Sequence, residues 1–339
     1  MAGIASWLLL VASAGLMFPL WAAAPPGASP SRGLLLVANK GEHTLGIVDP
    51  AEGKQLAVIT LTGVTGHEVA ASPDGRFAYV PIYGNSGVGQ PGSNGDSIDV
   101  IDVHSRRLLK KVTLERAVRP HCAVYGPDGL LYVTAELADA IYVMDPHTMK
   151  RVGSISTEQK ESHMLTISSD GKRGYTANVG AGSVTALDLV RRRPITVIHV
   201  SKQVQRISIT PDNRWVFTAD QTAPRLAVID TESNKLSSWI PLPAVAFGTR
   251  VTLDGRWLLA TLPGEDKIAV IDLKSMRLAR TIDVPKAPQE ILMRPDGQAA
   301  FISCDSSHEV AVLNLGNWQV EKLIHVGRGD DGLAWAPVQ

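Results

Sequence analysis

The sequence predicts an all-β fold, a seven-bladed β-propeller with four strands to each blade, and three observations carry that prediction. A Pro-Asp-Gly-like turn recurs with its aspartate at Asp74, Asp128, Asp170, Asp212, Asp254 and Asp296, in steps of 54 and then 42 four times. A second series ends an apolar run on an acid or amide, at Asp49, Asp102, Asp145, Asp188, Asp230, Asp272 and Asn314. Its seven members set the number of units, and a period near 42 suits a four-stranded blade. The two chain ends are also complementary. The repeat opens at Leu34 without an innermost strand, and 331–337 reads as an innermost strand with no blade after it. Docking one beside the other completes the first blade and removes two exposed edges.

Each element has a local cause. In Ser72-Pro73-Asp74-Gly75 the proline presets φ, the aspartate bonds nearby backbone and the glycine tolerates the exit geometry. A strand such as Phe77-Ala78-Tyr79-Val80 or Leu131-Tyr132-Val133-Thr134 follows, then a polar hairpin. The third strand is a nearly continuous apolar run, as in Leu226-Ala227-Val228-Ile229-Asp230. Such runs imply burial on both faces, as for a sheet sandwiched between neighbouring sheets. A fourth strand such as Leu278-Ala279-Arg280-Thr281-Ile282 closes the blade, and the next innermost strand begins, as at Gln289-Glu290-Ile291-Leu292-Met293.

Ahead of the repeats, 1–24 has no charged side chain and holds an apolar run from Trp7 to Leu20 that ends in Trp21-Ala22-Ala23-Ala24. A Pro/Ser/Gly linker occupies 25–33, and the propeller is expected over 34–339. The leading segment reads as a secretory signal cut after Ala22, or as an uncleaved anchor. Either reading exports the chain to the periplasm or the exterior. The 339 residues carry zero formal charge, which gives no long-range attraction to nucleic acid or to an anionic membrane. A small molecule, metal ion or protein is the expected partner, with membrane contact only through the N-terminal segment. Cys122 and Cys304 fall in different repeats and are expected to be unpaired, half-buried thiols.

Tyr79-Val80, Tyr132-Val133-Thr134, the Val-Ile-Asp endings at 228–230 and 270–272, and Ser72-Pro73-Asp74-Gly75 together resemble the bacterial YVTN-repeat propellers. The resemblance spans 34–339 and implies the propeller fold. It fixes no chemistry, because that family includes surface-layer, ligand-binding, cofactor-associated and enzymatic members.

Candidate chemistry is concentrated at one register position. Seven residues before each turn aspartate stand His67, His121, His163, Gln205, Phe247 and Gln289, and the same frame extends to Asp331. The neighbouring position holds Glu68, Cys122, Met164, Arg206, Gly248, Glu290 and Gly332. The loop before the innermost strand opens on the channel mouth, so three of the chain's 9 histidines share one ring. Two readings follow. The three imidazoles hold a divalent zinc, copper or iron ion, with Glu68, Asp331 or water completing the shell; or histidine is simply frequent at this repeat position. Arg119, Gln205, Arg206, Gln289, Asp331 and Tyr83 are candidate ligand contacts. Arg119, Arg206 and Arg250 fit either an anionic ligand or solvated pairs with Glu68, Glu161 and Glu290. Two function classes therefore stand: a binding propeller, or a metal-dependent hydrolase, lyase or redox enzyme with Glu68, Glu290 or His121 moving protons. The second blade's 12 extra residues (54 against 42) fall in 81–96, a glycine-rich loop over the same mouth and a candidate lid.

Overall fold

The computed structural model describes residues 32–85 and 87–338. The segment 1–24 and nearly all of the linker lie outside the described residues. The remainder forms seven four-stranded antiparallel sheets. Continuous apolar strands arise because both faces of each sheet are covered. In Gly33–Asn39, Leu36 and Ala38 pack in one cluster with Val80 and Ile101 of the second blade. Leu35 and Val37 point the other way, into a cluster with Phe301 and Val312 of the seventh. Outermost strands such as Arg277–Asp283 are mostly exposed and carry the charges that protect an open edge.

The two repeated acids have different tasks. Asp74 Oδ1 accepts hydrogen bonds from Ser72 Oγ at 2.5 Å and from Arg76 N at 3.0 Å. The turn then closes through Gly75 N to Ser72 O at 2.8 Å. Asp170, Asp212 and Asp254 repeat the arrangement with Ser168, Thr210 and Thr252. The second series caps hairpins. Asp145 Oδ1 accepts from His147 N and Thr148 N, and Asn314 Oδ1 accepts from Gly316 N and Asn317 N. Because only one acceptor oxygen is used, amide can replace acid in the seventh repeat. Donation by main-chain N–H groups holds the carboxyls of Asp102, Asp145, Asp188 and Asp230 below their ordinary range.

Two expectations need correction. Much of 81–96 is strand rather than loop, because the strands Phe77–Gly84 and Asn94–Asp102 run on into it with Ile82 opposite Ser97 and Gly84 opposite Asn94. A Cβ on Gly95 would lie 1.7 Å from the carbonyl oxygen of Ile82, so this close pairing requires glycine. Cys122 and Cys304 are unpaired, but both are fully buried, packed in two separate core clusters.

Closure follows the predicted pairing. Asp330–Pro337 runs antiparallel to Gly33–Asn39, with Leu35 opposite Trp335 and Val37 opposite Leu333. Leu333 and Trp335 join the seventh-blade cluster, where Trp335 stacks on Phe301 at 5.8 Å, while Ala334 and Ala336 face the second blade. Asp330 Oδ2 accepts from Cys304 N at 2.6 Å and ties the strand to the seventh blade. Deleting 330–339 is therefore expected to expose the first blade's edge and produce oligomers or aggregates with a much lower Tm. A monomer on size-exclusion chromatography that melts within a few degrees of the parent would refute strand closure.

Burial pushes the Asp330 carboxyl up to about 7 from 3.8. Between those values the folded chain keeps a proton that the unfolded chain has lost, so stability falls as pH rises from about 4 to about 7 and then levels. Asp330→Asn, which keeps the acceptor, should flatten that slope and raise Tm at pH 8 while leaving it unchanged near pH 4. Thermal melts across this range measure it.

Candidate functional site

At the mouth of the channel a cavity of about 150 Å³ is lined by His67, His121, His163, Gln205, Phe247 and Asp331, six of the seven ring positions. Gln289, the seventh, is not among the lining residues; its side-chain amide donates to Ala287 O at 3.3 Å. Local backbone geometry delivers the others. The register shifts between Pro120 and Ala123, between Ser162 and Met164, and between Gln205 and Ile207. A bulge at the start of an innermost strand re-aims the side chain it carries. The same irregularity accompanies His121, His163 and Gln205. It recurs between Pro288 and Ile291 around Gln289, whose side chain does not line the cavity, so the bulge re-aims the backbone without alone deciding which side chains enter.

The three imidazoles touch. His121 and His163 lie with ring centroids 3.5 Å apart and planes tilted by 30°, and His67 meets His121 edge-on at 5.2 Å. Tyr83 is the hub, 5.0 Å from His67, 5.3 Å from His121 and 5.9 Å from His163. Burial lowers the His67 pKa to about 4, against the opposing pull of Asp331. Burial, then the neighbouring His163 and His67, push His121 well below its ordinary value. At neutral pH both rings are uncharged and carry a free lone pair. His121 Nδ1 and the Tyr83 hydroxyl are buried without a hydrogen-bond partner. As the side chains stand, no three His, Cys, Asp or Glu residues among the described residues are arranged to hold a metal ion.

Beside the imidazoles sits a charge cage. Arg206 meets Glu68 at 2.8 Å, Glu290 at 3.0 Å and Asp331 at 2.5 Å, and all four side chains are buried. Arg250 reaches the other oxygen of Glu290 at 3.1 Å, and Lys40 bridges Asp331 and Asp305 at 3.2 and 3.3 Å. Burial alone would lower the Arg206 pKa, but the three carboxylates outweigh it and raise it. Burial raises the Glu68 pKa well above the carboxylate range, with Arg206 opposing, whereas Lys40 and Arg206 overcome burial at Asp331 and lower it. Arg206 pairs with Glu68 and Glu290 as expected, but buried at the cavity wall rather than as a solvated rim charge. Its Nη1 donates to Glu290 and its Nη2 to Asp331, with Glu68 in ion-pair contact, while its Nε is buried without a hydrogen-bond partner.

Arg119 is also buried, and it serves the loop. Its Nε donates to Asn94 Oδ1 at 2.7 Å and its Nη2 to Gln90 O at 2.9 Å, while Gly87 and Val88 line the cavity. Arg250 keeps partial exposure and fits the rim expectation. Three participants escaped the sequence reading, Lys40, Glu136 and Asp305. Each is the first residue after a second strand, at the end that faces the mouth, so a search of those loops for ionisable residues would have found all three.

A fork-shaped cation among three buried carboxylates is hard to replace. Arg206→Ala should cost about 3–5 kcal/mol by leaving buried charge uncompensated, and Arg206→Lys should recover only part. Urea unfolding of the variants measures this; a loss below 1 kcal/mol would mean the cage is solvated.

Comparison with known proteins adds the lineage. Residues 30–239 match the family described as Cytochrome D1 heme domain. The resemblance to YVTN repeats extends only to the seven-bladed architecture. Hydrazine synthase of Kuenenia stuttgartiensis shares 22% identity at a TM-score of 0.73, over 84% of this chain and 93% of that one. Dihydro-heme d1 dehydrogenase NirN in complex with DHE shares 15% identity at 0.66, over 91% of this chain and 76% of that one. At these identities the likeness is one of fold. No curated protein matches the chain significantly.

Proposed function

The chain belongs to the cytochrome D1 heme domain family, and from that premise we propose that its channel mouth is a binding site for one transition-metal ion, with His67, His121 and His163 as donors. The observation that carries this reading is the mutual contact of three imidazoles around one small cavity, two of them kept neutral by burial. Neutral imidazole suits zinc, copper or iron. Binding requires His121 to rotate out of its 3.5 Å stack on His163, so that three nitrogens converge at about 2.0–2.1 Å from the ion.

The family's description raises heme as the ligand, and the space available does not fit it. A cavity of about 150 Å³, roofed by Gly87 and Val88 and flanked by the Arg206 cage, is below the roughly 300–1,000 Å³ of pockets for drug-sized ligands. A bare ion with one or two waters fits. Binding is favoured over catalysis because Glu68 and Glu290, the sequence's candidates for a general base, are both engaged by Arg206. If 1–24 is an export signal or an uncleaved anchor, as its apolar run suggests, this site would work outside the inner membrane. Among the described residues no helix is long and apolar enough to cross a membrane.

Untagged protein should carry or take up one equivalent of zinc, copper or iron, with no Soret absorption. His67→Ala, His121→Ala and His163→Ala should each remove most of it, since the donors act as one unit. Elemental analysis and an absorption spectrum decide the matter: protein that binds no metal rejects the site, and a stoichiometric Soret band puts heme in its place.

A further inference from the structure

Glu136 is a buried carboxylate that the binding site as described does not use. It opens the 3-10 turn Glu136–Ala138, directly after the strand Leu131–Ala135, and its side chain is 0% exposed. Among the described residues its one ion-pair contact is with an imidazole, His163 Nδ1 at 3.5 Å from Oε2, and its Oε1 has no hydrogen-bond partner. Burying a carboxylate with no lysine or arginine against it is costly, so the position needs a compensating interaction. Asp331 lies behind His67 but farther off, with Oδ2 3.7 Å from Nδ1. His121, between the two, has no carboxylate behind it, and its Nδ1 is unpartnered.

Resting on the metal-binding reading above, we infer that Glu136 is a positioning residue that accepts a hydrogen bond from Nδ1–H of His163 and so presents its Nε2 lone pair to the ion, whereas Asp331 stands behind His67 at 3.7 Å, beyond hydrogen-bond reach. A neutral imidazole has one proton for two nitrogens, and a hydrogen bond at one decides which nitrogen is free to ligate. A carboxylate behind the ring fixes the tautomer, restrains the ring and raises its donor strength. Asp331 also serves Arg206 and Lys40, so replacing it disturbs the cage. Glu136 takes no part in the cage, although the Tyr83 hydroxyl lies beside it, so its replacement leaves Arg206 and Lys40 paired.

The test uses full-length, metal-free protein with ¹⁵N-labelled histidine, the His163 signal being identified by its loss in His163→Gln. The wild type should show His163 protonated at Nδ1. Glu136→Ala should shift the ring toward the Nε2-protonated form, and Glu136→Gln, which keeps an acceptor oxygen, should restore the wild-type tautomer. In zinc competition titrations Glu136→Ala should weaken affinity by about 10–100-fold, with Glu136→Gln closer to wild type and one equivalent bound throughout. A Glu136→Ala variant with wild-type tautomer and wild-type zinc affinity would overturn the inference while leaving the metal site standing. A tautomer that follows Glu136 in a protein that binds no zinc would uphold the positioning role and remove the metal.

Discussion

The pairing of Asp330–Pro337 with Gly33–Asn39 is the constraint on which the rest of the molecule depends. It joins the two chain ends, so every sheet has a neighbour on each face and no blade is left with an open apolar side. It also builds the site. Asp331 comes from this terminal strand, Lys40 follows the strand it pairs with, His67 and Glu68 introduce the second blade, and Arg206 stands in the fifth. Apart from the adjacent His67 and Glu68, none of these groups is near another in sequence. The first and last segments must lie side by side before Arg206 has its third carboxylate. Folding of the ring and assembly of the mouth are in that sense one event.

Charge and space then set what the mouth can hold. The cage concentrates ionised groups beside the imidazoles, and its carboxylates are committed to Arg206, Arg250 and Lys40. Burial keeps His67 and His121 neutral, which favours a cation seeking lone pairs over an anion seeking donors. Arg119, the remaining buried guanidinium, holds the loop of the second blade across the opening. The cavity of about 150 Å³ is the space these groups leave at the mouth. Within one propeller architecture, the residues at the mouth and the loop above it decide the ligand.

Much of this architecture was legible in the residues because a repeat averages over its copies. Turn aspartates 42 apart, and acids or Asn314 at the ends of apolar runs, are local signals with local causes, since each side chain bonds backbone within a few residues. Seven such copies fix the blade number even where one is irregular. The ring of positions around the mouth was legible for the same reason: equal offsets from equal turns must land at equal places around a closed ring.

The sequence by itself determined the fold class, the blade count, the closing strand and six residues of the cavity wall. It could not determine the partners of those residues. Arg206 looked like a rim charge because nothing local distinguishes a guanidinium facing water from one facing Glu68, Glu290 and Asp331, which lie 138, 84 and 125 residues away (206 − 68, 290 − 206 and 331 − 206). Glu136 stood at a repeat position that could have been searched, but its importance lies in a contact with His163 across a blade boundary, which no local signal marks. Burial, pairing and the tilt of an imidazole are properties of the closed ring, since only there do side chains from separate blades share one low-dielectric space.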